Sequence, residues 1–337
     1  MDKECFCKEI KKPDHCSIMV SKNCMLRCKM CYNWKQASNP NETTITELKR
    51  FIDQLKYTNK EMMEINFTGG EPLSKEGILD LIEYCVEAGF KTQLVTSAYI
   101  INQEMAKKIA DSGLNFICIS IDSINEEKHD FFRGVKGVYR KAMAAIEQLD
   151  KYRNDRLNLG IQTTIMGPNL DDILPLTEWV HKDHRLNMLC FQAIVQPANV
   201  PSINKWYTQD EYRFLWPQNT KYVDFIINKL IKLHESGSKM SNPLGQLYAF
   251  KSYFENPERF IKRLKCNKVD QVLNIDNEGN LYLCYDKGFL GNIRDEDMDI
   301  SKLWYSQKAN TIRESIEKCQ ENCGTLINCF FEEETQC

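Results

Sequence analysis

Six short apolar segments alternate with amphipathic helical segments from residue 16 to about residue 197. Apolar runs of this length, bounded by turn residues, predict strands at Ser17–Val20, Met63–Phe67, Lys91–Thr96, Phe116–Ile121, Leu157–Ile165 and Met188–Val195. Strands that are separated by helical crossovers pair in parallel, and the crossovers are almost always right-handed. The sequence therefore predicts an α/β fold whose parallel sheet lies open or curls into an incomplete barrel, with functional loops at the carboxyl ends of the strands.

Local signals delimit the helices between these strands. Thr44-x-x-Glu47 is a capping box that opens a helix over Glu47–Lys56. Gly89 and Gly113 follow the next two helices, at positions where a left-handed residue is favoured. Two further helices are predicted at Val138–Tyr152 and Leu170–His181.

The chain changes character after residue 197. Aromatic residues of the next stretch are candidates either for a lid over a substrate or for core packing, and they are Trp206, Tyr207, Trp216 and Tyr248. A hairpin is predicted from Val272–Ile275 and Asn280–Cys284, and a helix and a cysteine-rich tail follow it. We therefore expect three parts, at residues 1–197, 198–265 and 266–337.

Charge and hydropathy argue against several classes of protein. The 337 residues carry a formal net charge of −3, which predicts no basic surface for nucleic acid or for an anionic membrane. The N-terminal residues are charged and lack the apolar core of a signal peptide, and no apolar run reaches the ~20 residues that span a bilayer. We expect a cytoplasmic protein with no membrane span and no nucleic-acid partner.

The 15 cysteines need an explanation in such a chain. An odd count and the lack of an export signal fit disulfide pairing poorly, so metal ligation is the better explanation for the clustered cysteines. Isolated cysteines in apolar segments are predicted to be small buried hydrophobic side chains, and they are Cys85, Cys118 and Cys190. No role is assigned to Cys5, Cys7 and Cys16.

Cys24, Cys28 and Cys31 form the spacing CxxxCxxC directly after the first predicted strand. Three thiolates hold three irons of a 4Fe-4S cube and leave the fourth iron open, whereas sites with four cysteines are closed. Gly69-Gly70-Glu71-Pro72 lies at the end of the second predicted strand. A zinc site is the alternative, and its fourth ligand would be Cys16 or His15.

The cysteine loop and the Gly-Gly-Glu-Pro segment together resemble the radical SAM superfamily over residues 14 to 197. The tail resembles the SPASM or "twitch" extension of that superfamily, through Cys266, Gly279 and Cys284 and the segments Leu290-Gly291-Asn292-Ile293 and Leu303-Trp304. This resemblance implies a partial (β/α)6 barrel with a small C-terminal α+β extension that is cysteine-rich and binds a cluster. The chain departs from the family pattern at Met30, at Thr96-Ser97-Ala98 and in the spacing of the tail cysteines.

The resemblance implies S-adenosylmethionine bound to the open iron of a 4Fe-4S cluster held by the three loop cysteines. Its binding residues are then expected to be Tyr32, Gly69, Gly70, Glu71, Ser97, Ser120, Asp122, Arg133 and Gln162. The two glycines would let the backbone approach the ligand, and Arg133 would pair with the methionine carboxylate. Helix capping remains the alternative for the serines and Asp122, and a surface ion pair remains the alternative for Arg133.

One auxiliary iron–sulfur cluster, of the 4Fe-4S type, is implied in the tail. Its ligands are expected to be four of Cys266, Cys284, Cys319, Cys323 and Cys329. A zinc ribbon is the alternative for this site.

The resemblance also implies reductive cleavage of S-adenosylmethionine to a 5′-deoxyadenosyl radical, with a flavodoxin- or ferredoxin-type protein as electron donor. Only 23 residues precede Cys24, too few for a peptide-recognition domain, so we expect a small-molecule substrate such as a sugar, nucleoside, lipid or antibiotic precursor. One alternative is an enzyme that crosslinks, epimerises or oxidises a peptide delivered by a separate recognition protein. An alternative of another class is a non-catalytic iron–sulfur or zinc protein.

Overall fold

The computed structural model describes residues 10–36, 39–58, 63–261, 266, 271–296 and 298–328. The strands of these ranges are β1 (His15–Ser21), β2 (Glu64–Gly69), β3 (Lys91–Thr96), β4 (Phe116–Ser120), β5 (Asn158–Ile165), β6 (Met188–Ala193), β7 (Val272–Ile275), β8 (Asn280–Tyr282) and β9 (Phe289–Asn292). They form one sheet in the order β6-β5-β4-β3-β2-β1-β7-β8-β9.

The helices of the same ranges are α1 (Ile45–Thr58), α2 (Ile78–Glu87), α3 (Gln103–Asp111), α4 (Glu126–Arg133), α5 (Val138–Tyr152), α6 (Leu170–Lys182), α7 (Thr220–Glu235), α8 (Leu244–Glu255), α9 (Ile300–Trp304), α10 (Gln307–Glu317) and α11 (Gly324–Asn328). None of them is both long and apolar enough to cross a lipid bilayer.

The six strands β1 to β6 pair in parallel, each with the next along the chain. Helices α1 to α6 lie in the crossovers between them, with both α4 and α5 between β4 and β5. The predicted α/β class with six parallel strands is therefore confirmed. The carboxyl ends of all six strands meet at one edge, which is where loops can assemble a site.

Strand β1 is an interior strand of the sheet. It pairs in parallel with β2 on one side, with His15 opposite Glu64, and with β7 on the other side, with His15 opposite Val272. Strands β8 and β9 then continue the sheet in antiparallel fashion. The predicted hairpin is present as β7 and β8, whereas β9 and the pairing of β7 with β1 had no signal in the sequence.

Side-chain caps start several of the helices. The Thr44 hydroxyl accepts from the Glu47 N–H at 3.2 Å and Glu47 accepts from the Thr44 N–H at 2.8 Å, so the predicted capping box is formed at the start of α1. Helix α4 is one that the sequence analysis missed, although it has an Asn125 cap and a left-handed Gly134 at its end. Its eight residues include only two apolar side chains, Phe131 and Phe132, and these are adjacent, so they give no helical period.

Candidate active site

A cavity of about 390 Å³ opens at the carboxyl ends of the parallel strands. This volume lies in the usual range for small-molecule and cofactor sites. Among its lining residues are Cys24, Cys28, Cys31, Trp34, Gly69, Gly70, Ser97, Ser120, Arg133, Gln162, Thr164, Gln192, Gln196 and Asn328. The structure thus brings the three loop cysteines together with six of the nine residues expected at S-adenosylmethionine.

The cysteine loop is held by the end of α4. The N–H groups of Arg27 and Lys29 donate to the carbonyls of Arg133 and Phe132 at 3.0 and 2.8 Å. Carbonyls in the last turn of a helix have no partner within the helix, so the loop satisfies them. A Cβ at Gly134, whose φ is +70°, would lie 2.1 Å from the Arg27 carbonyl oxygen. Only glycine therefore lets the loop approach this closely.

Gly69 and Gly70 also lie against the chain that leads into the cysteine loop. The N–H of Gly70 donates to the Ser21 carbonyl and that of Glu71 to the Asn23 carbonyl, both at 2.8 Å. A Cβ at Gly69 would lie 2.2 Å from the Ser21 oxygen, and one at Gly70 would lie 2.2 Å from the Asn23 oxygen. The family resemblance predicts that a bound ligand requires these glycines, but the backbone of the chain itself already requires them.

Glu71 is 1% exposed and lies behind the cavity wall. Its carboxylate accepts from the Leu73 N–H, the Thr96 hydroxyl, and the N–H and hydroxyl of Ser97. The side chain therefore fixes the end of β3, and Ser97 rather than Glu71 lines the cavity.

Arg133 and Asp122 form a buried ion pair, with 2.7 Å between the guanidinium Nη2 and the carboxylate Oδ2. Burial alone would lower the pKa of Arg133, but the Asp122 carboxylate and the Cys28 thiol reverse this and raise it. The Thr164 N–H donates to Asp122 at 3.0 Å, so Asp122 also joins α4 to β5. Arg133 lines the cavity, and its buried Nε has no hydrogen-bond partner among the described residues.

Four neutral side chains line the cavity along β4, β5 and β6. Ser120 pairs in register with Gln162, and Thr164 pairs with Gln192. These four, which we call the polar ladder, make no side-chain hydrogen bond within the part of the chain that the structure describes. Gln196 differs, because its amide is bonded to backbone groups of Val200, Pro201 and Ile203.

Two family models match this chain. The first is the radical SAM superfamily over residues 18–180, and the second is the SPASM iron–sulfur cluster-binding domain over residues 266–329. The chain belongs to the radical SAM superfamily. It is an enzyme of that superfamily with a SPASM domain. The two domains indicate binding of iron–sulfur clusters and S-adenosylmethionine.

Curated relatives cover parts of this radical SAM chain. Fe-coproporphyrin III synthase of Methanosarcina barkeri is 28% identical over 77% of the chain and 62% of its own length. A PqqA peptide cyclase of Bradyrhizobium diazoefficiens is 27% identical over 37% of the chain and 32% of its own length. The chain thus spans less than two thirds of either relative.

Solved structures share the radical SAM and SPASM fold. SuiB of Streptococcus suis, bound to S-adenosylmethionine, has a TM-score of 0.67 at 14% identity, covering 94% of this chain and 72% of its own. The enzyme anSMEcpe with bound AdoMet and Kp18Cys peptide has a TM-score of 0.67 at 19% identity, covering 94% and 88%.

The expected ranking of a small molecule above a peptide is wrong. PqqA peptide cyclases are among the relatives, and SuiB and anSMEcpe were both solved with peptides bound. The ranking rested on the short chain before Cys24. It failed because the presence or absence of a preceding domain does not decide what a barrel cavity can hold.

The radical SAM cavity has donors that fit an iron–sulfur cluster. Burial raises the pKa of the Cys28 thiol to about 11 and also raises the pKa values of Cys24 and Cys31, so cluster binding must release their protons. No three His, Cys, Asp or Glu side chains in the described ranges converge on a single ion, as a mononuclear zinc site requires. Thiolates that bind separate irons of a cube need no such convergence. The buried, unpaired Nε of Arg133 also suits a bound carboxylate.

Tyr32 lies at the rim rather than in the lining. Its ring meets those of Trp34 and Tyr212 edge-on, and its hydroxyl donates to Glu211 at 3.2 Å. Burial and the Glu211 carboxylate raise the pKa of Tyr32 to about 12. Trp34, which the sequence analysis missed, lines the cavity beside it.

The tail cysteines are partly placed. Burial would lower the pKa of Lys287, but Cys319, Glu321 and Cys284 raise it, so both cysteines lie near this lysine. Cys323 accepts from the Leu326 N–H at 3.3 Å at the start of α11, and Cys266 is half-buried against the core. Cys329 lies outside the described residues, as do Cys5 and Cys7.

Proposed function

We propose that this radical SAM enzyme abstracts a hydrogen atom from a peptide substrate and thereby crosslinks, epimerises or oxidises it. The observation that carries the proposal is the cavity itself. The three loop cysteines line it together with the polar ladder, and Arg133 is the one charged side chain, thiols aside, among the described residues of its lining.

The polar ladder suits the backbone of a peptide. A peptide presents N–H donors and C=O acceptors, and the amides of Gln162 and Gln192 offer both kinds of partner. Neutral hydrogen bonds can then align the chain without any charged group on the substrate. A solved structure supports the same substrate class. The fold of this chain matches 88% of anSMEcpe, and that enzyme was solved with a peptide bound.

In this proposal each group of residues in the cavity has a separate role. Cys24, Cys28 and Cys31 hold a 4Fe-4S cluster, and Arg133 holds the carboxylate of S-adenosylmethionine. When bound, the cluster and S-adenosylmethionine would together supply hydrogen-atom abstraction from a substrate C–H bond, with 5′-deoxyadenosine as a product. The ladder orients the substrate, and the apolar side chains of Leu26 and Ile194 help to exclude water.

The remaining expected residues act around this centre. Ser97 and the backbones of Gly69 and Gly70 complete the cofactor wall, while Glu71, Asp122 and Tyr32 hold that wall in place. Ser120 and Gln162, which were expected at the same cofactor, belong to the polar ladder instead. Four of the five cysteines Cys266, Cys284, Cys319, Cys323 and Cys329 would hold an auxiliary 4Fe-4S cluster that accepts an electron or binds the substrate.

A tetrapyrrole is the second candidate substrate. One relative favours it, the Fe-coproporphyrin III synthase, whose name refers to a tetrapyrrole and which aligns with 77% of the chain. Propionate side chains would bring several negative charges into a lining where Arg133 alone is cationic. A buried charge without a partner is costly, so the lining favours the peptide.

Deuterium transfer distinguishes these substrates. The enzyme is reconstituted anaerobically with iron and sulfide and given dithionite and S-adenosylmethionine. One sample receives a tryptic digest of uniformly deuterated protein, and another receives a deuterated tetrapyrrole with propionate side chains. Deuterium in 5′-deoxyadenosine from the digest alone supports the proposal. Deuterium from the tetrapyrrole alone, or from neither probe while 5′-deoxyadenosine still forms, overturns it. An undeuterated digest is the matched control.

A further inference from the structure

The outer edge of β6 is closed although β6 ends the sheet on its side. The Leu189 N–H donates to the Lys239 carbonyl at 2.8 Å, and the Leu189 carbonyl accepts from the Ser241 N–H at 2.9 Å. Two residues on, Phe191 is paired by a side chain. Asn242 accepts from the Phe191 N–H at 2.7 Å and donates to its carbonyl at 2.8 Å.

Asn328 repeats this arrangement at the last residue of β6. Its Oδ1 accepts from the Ala193 N–H at 2.7 Å, and its Nδ2 donates to the Ala193 carbonyl at 2.9 Å. Ala193 is buried, so without Asn328 both groups would lack a partner at a dry strand edge. Asn328 therefore replaces a neighbouring strand at the point where the incomplete barrel is open.

The segment that carries Asn328 is firmly seated. The Gln246 amide donates to the Ile327 carbonyl at 3.2 Å and accepts from Asn242 at 2.8 Å, so the two asparagines are connected. Helix α11 packs against β6 and α8. Asn328 lies in the cysteine-rich tail, between Cys323 and Cys329, and is far from β6 in the sequence.

The two asparagines differ in one respect. Asn328 belongs to the cavity lining, beside the polar ladder, whereas Asn242 does not. An asparagine amide has two N–H donors and an oxygen with two lone pairs, and Ala193 uses one of each. Among the described residues, one donor and one acceptor position of Asn328 have no partner, so they remain for a ligand in the cavity.

We infer that α11 is the missing wall of the incomplete barrel and that Asn328 is a substrate-positioning residue. It fixes the end of β6, and with it the ladder residue Gln192, and it offers its free amide positions to a backbone amide of the peptide. The second of these roles rests on the proposed peptide function, and the first does not. The tail that supplies the auxiliary ligands therefore also shapes the radical cavity.

Hydrogen exchange tests the first role without any substrate. The full-length reconstituted protein is compared with its Asn328→Ala variant by mass spectrometry of peptides that cover β6. Loss of the acceptor should speed exchange of the Ala193 amide roughly tenfold or more, because a buried N–H loses its partner. Asn322→Ala is the matched control, since Asn322 lies in the same tail but bonds to the carbonyls of Pro257 and Arg259. Unchanged exchange at Ala193 in Asn328→Ala would overturn the inference.

Asn328→Asp separates the two roles. Aspartate keeps an acceptor for the Ala193 N–H but loses the donor to the Ala193 carbonyl, so this amide should exchange more slowly than in Asn328→Ala. It also places a charge where the peptide needs a neutral amide. Deuterium transfer from the digest to 5′-deoxyadenosine should then fall at least fivefold, as expected for about one lost hydrogen bond. Asn242→Ala, which removes the equivalent clamp outside the cavity, should not lower it to the same extent. Equal losses in both variants would show a merely structural role.

The outcomes also separate this inference from the proposed function. If the wild-type enzyme transfers no deuterium from the digest, the peptide function fails, while exchange at Ala193 still decides whether α11 closes the barrel. If the wild type transfers deuterium and Asn328→Asp does so equally well, the peptide function stands and the positioning role of Asn328 is refuted.

Discussion

Replacing Glu71 by glutamine keeps the size of a buried side chain and removes the charge that accepts four hydrogen bonds. The amide oxygen of glutamine can still accept from the N–H and the hydroxyl of Ser97. Its NH2 group then faces the Leu73 N–H, which cannot reverse its role. The Thr96 hydroxyl accepts from the Ala98 N–H at 2.9 Å with one lone pair and could turn to accept from the new NH2 group with the other.

The magnitude follows from these four bonds. Hydrogen bonds to a charged acceptor contribute about 1.5–3 kcal/mol each, and neutral ones about 1 kcal/mol. One N–H is left unpaired and the remaining bonds lose their charge assistance, so the free energy of unfolding should fall by about 3 kcal/mol. Glu76→Gln is the matched control, because Glu76 is an exposed residue of the same loop. Its effect should stay within about 0.5 kcal/mol.

Urea unfolding of the anaerobically reconstituted protein, followed by far-UV circular dichroism, measures both variants against the wild type. The midpoint of Glu71→Gln should move to clearly lower urea and that of Glu76→Gln should not. Equal midpoints for the two variants would refute the reasoning. They would mean that the Glu71 carboxylate does not hold the end of β3 and is free to bind a ligand in the cavity.

Three further predictions follow from the site and its supports. Cys28→Ala should abolish 5′-deoxyadenosine formation and leave the iron of the tail site in place; cleavage that persists would exclude the assigned cluster. Gly134→Ala should lower the iron bound by the cysteine loop severalfold, because its Cβ would lie 2.1 Å from a loop carbonyl, whereas Gly137→Ala, with open space around it, should not. Arg294 donates to Glu47 and lowers the pKa of that carboxyl to about 2. An unfolded glutamate has a pKa near 4.3, so the stabilisation is complete above that value and disappears as the pH falls toward 2. Arg294→Gln should therefore lower the free energy of unfolding measured in urea at pH 6, by no more than about 1 kcal/mol for this part-exposed pair, and less at pH 3. A difference that does not shrink at pH 3 would contradict the linkage.

The parallel strands could be predicted from the sequence because their signal is local. Each is a short apolar run between helices that begin at caps and end at glycines. Because functional loops lie at the carboxyl ends of parallel strands, the cysteine loop is also predicted to lie near Gly69 and Gly70. Helix α4 was missed because its two apolar side chains, Phe131 and Phe132, are adjacent and give no helical period. The pairing of β7 with β1 could not be predicted, since no local pattern records which distant strand a parallel edge accepts.

In the candidate site, too, local features could be predicted from the sequence and contacts between distant segments could not. The spacing of the three cysteines predicts that they line one cavity, because all three lie in one loop. The placement of Glu71 behind Ser97 and of Asn328 at the end of β6 depends on contacts between distant segments. Such contacts leave no periodic trace, so an isolated asparagine in a cysteine-rich tail gives no signal of a role in the cavity.

The interior position of β1 has a consequence for biogenesis. The strand that leads into the cysteine loop gains its second neighbour only when residues 272–275 have been made. Until then a nascent chain exposes an apolar strand with unpaired N–H and C=O groups, which invites pairing with other chains. Contacts over so long a stretch of sequence also form slowly. Stable assembly of the iron–sulfur loop should therefore be a late, post-translational event, and chains truncated before β7 should aggregate rather than accumulate as a working barrel.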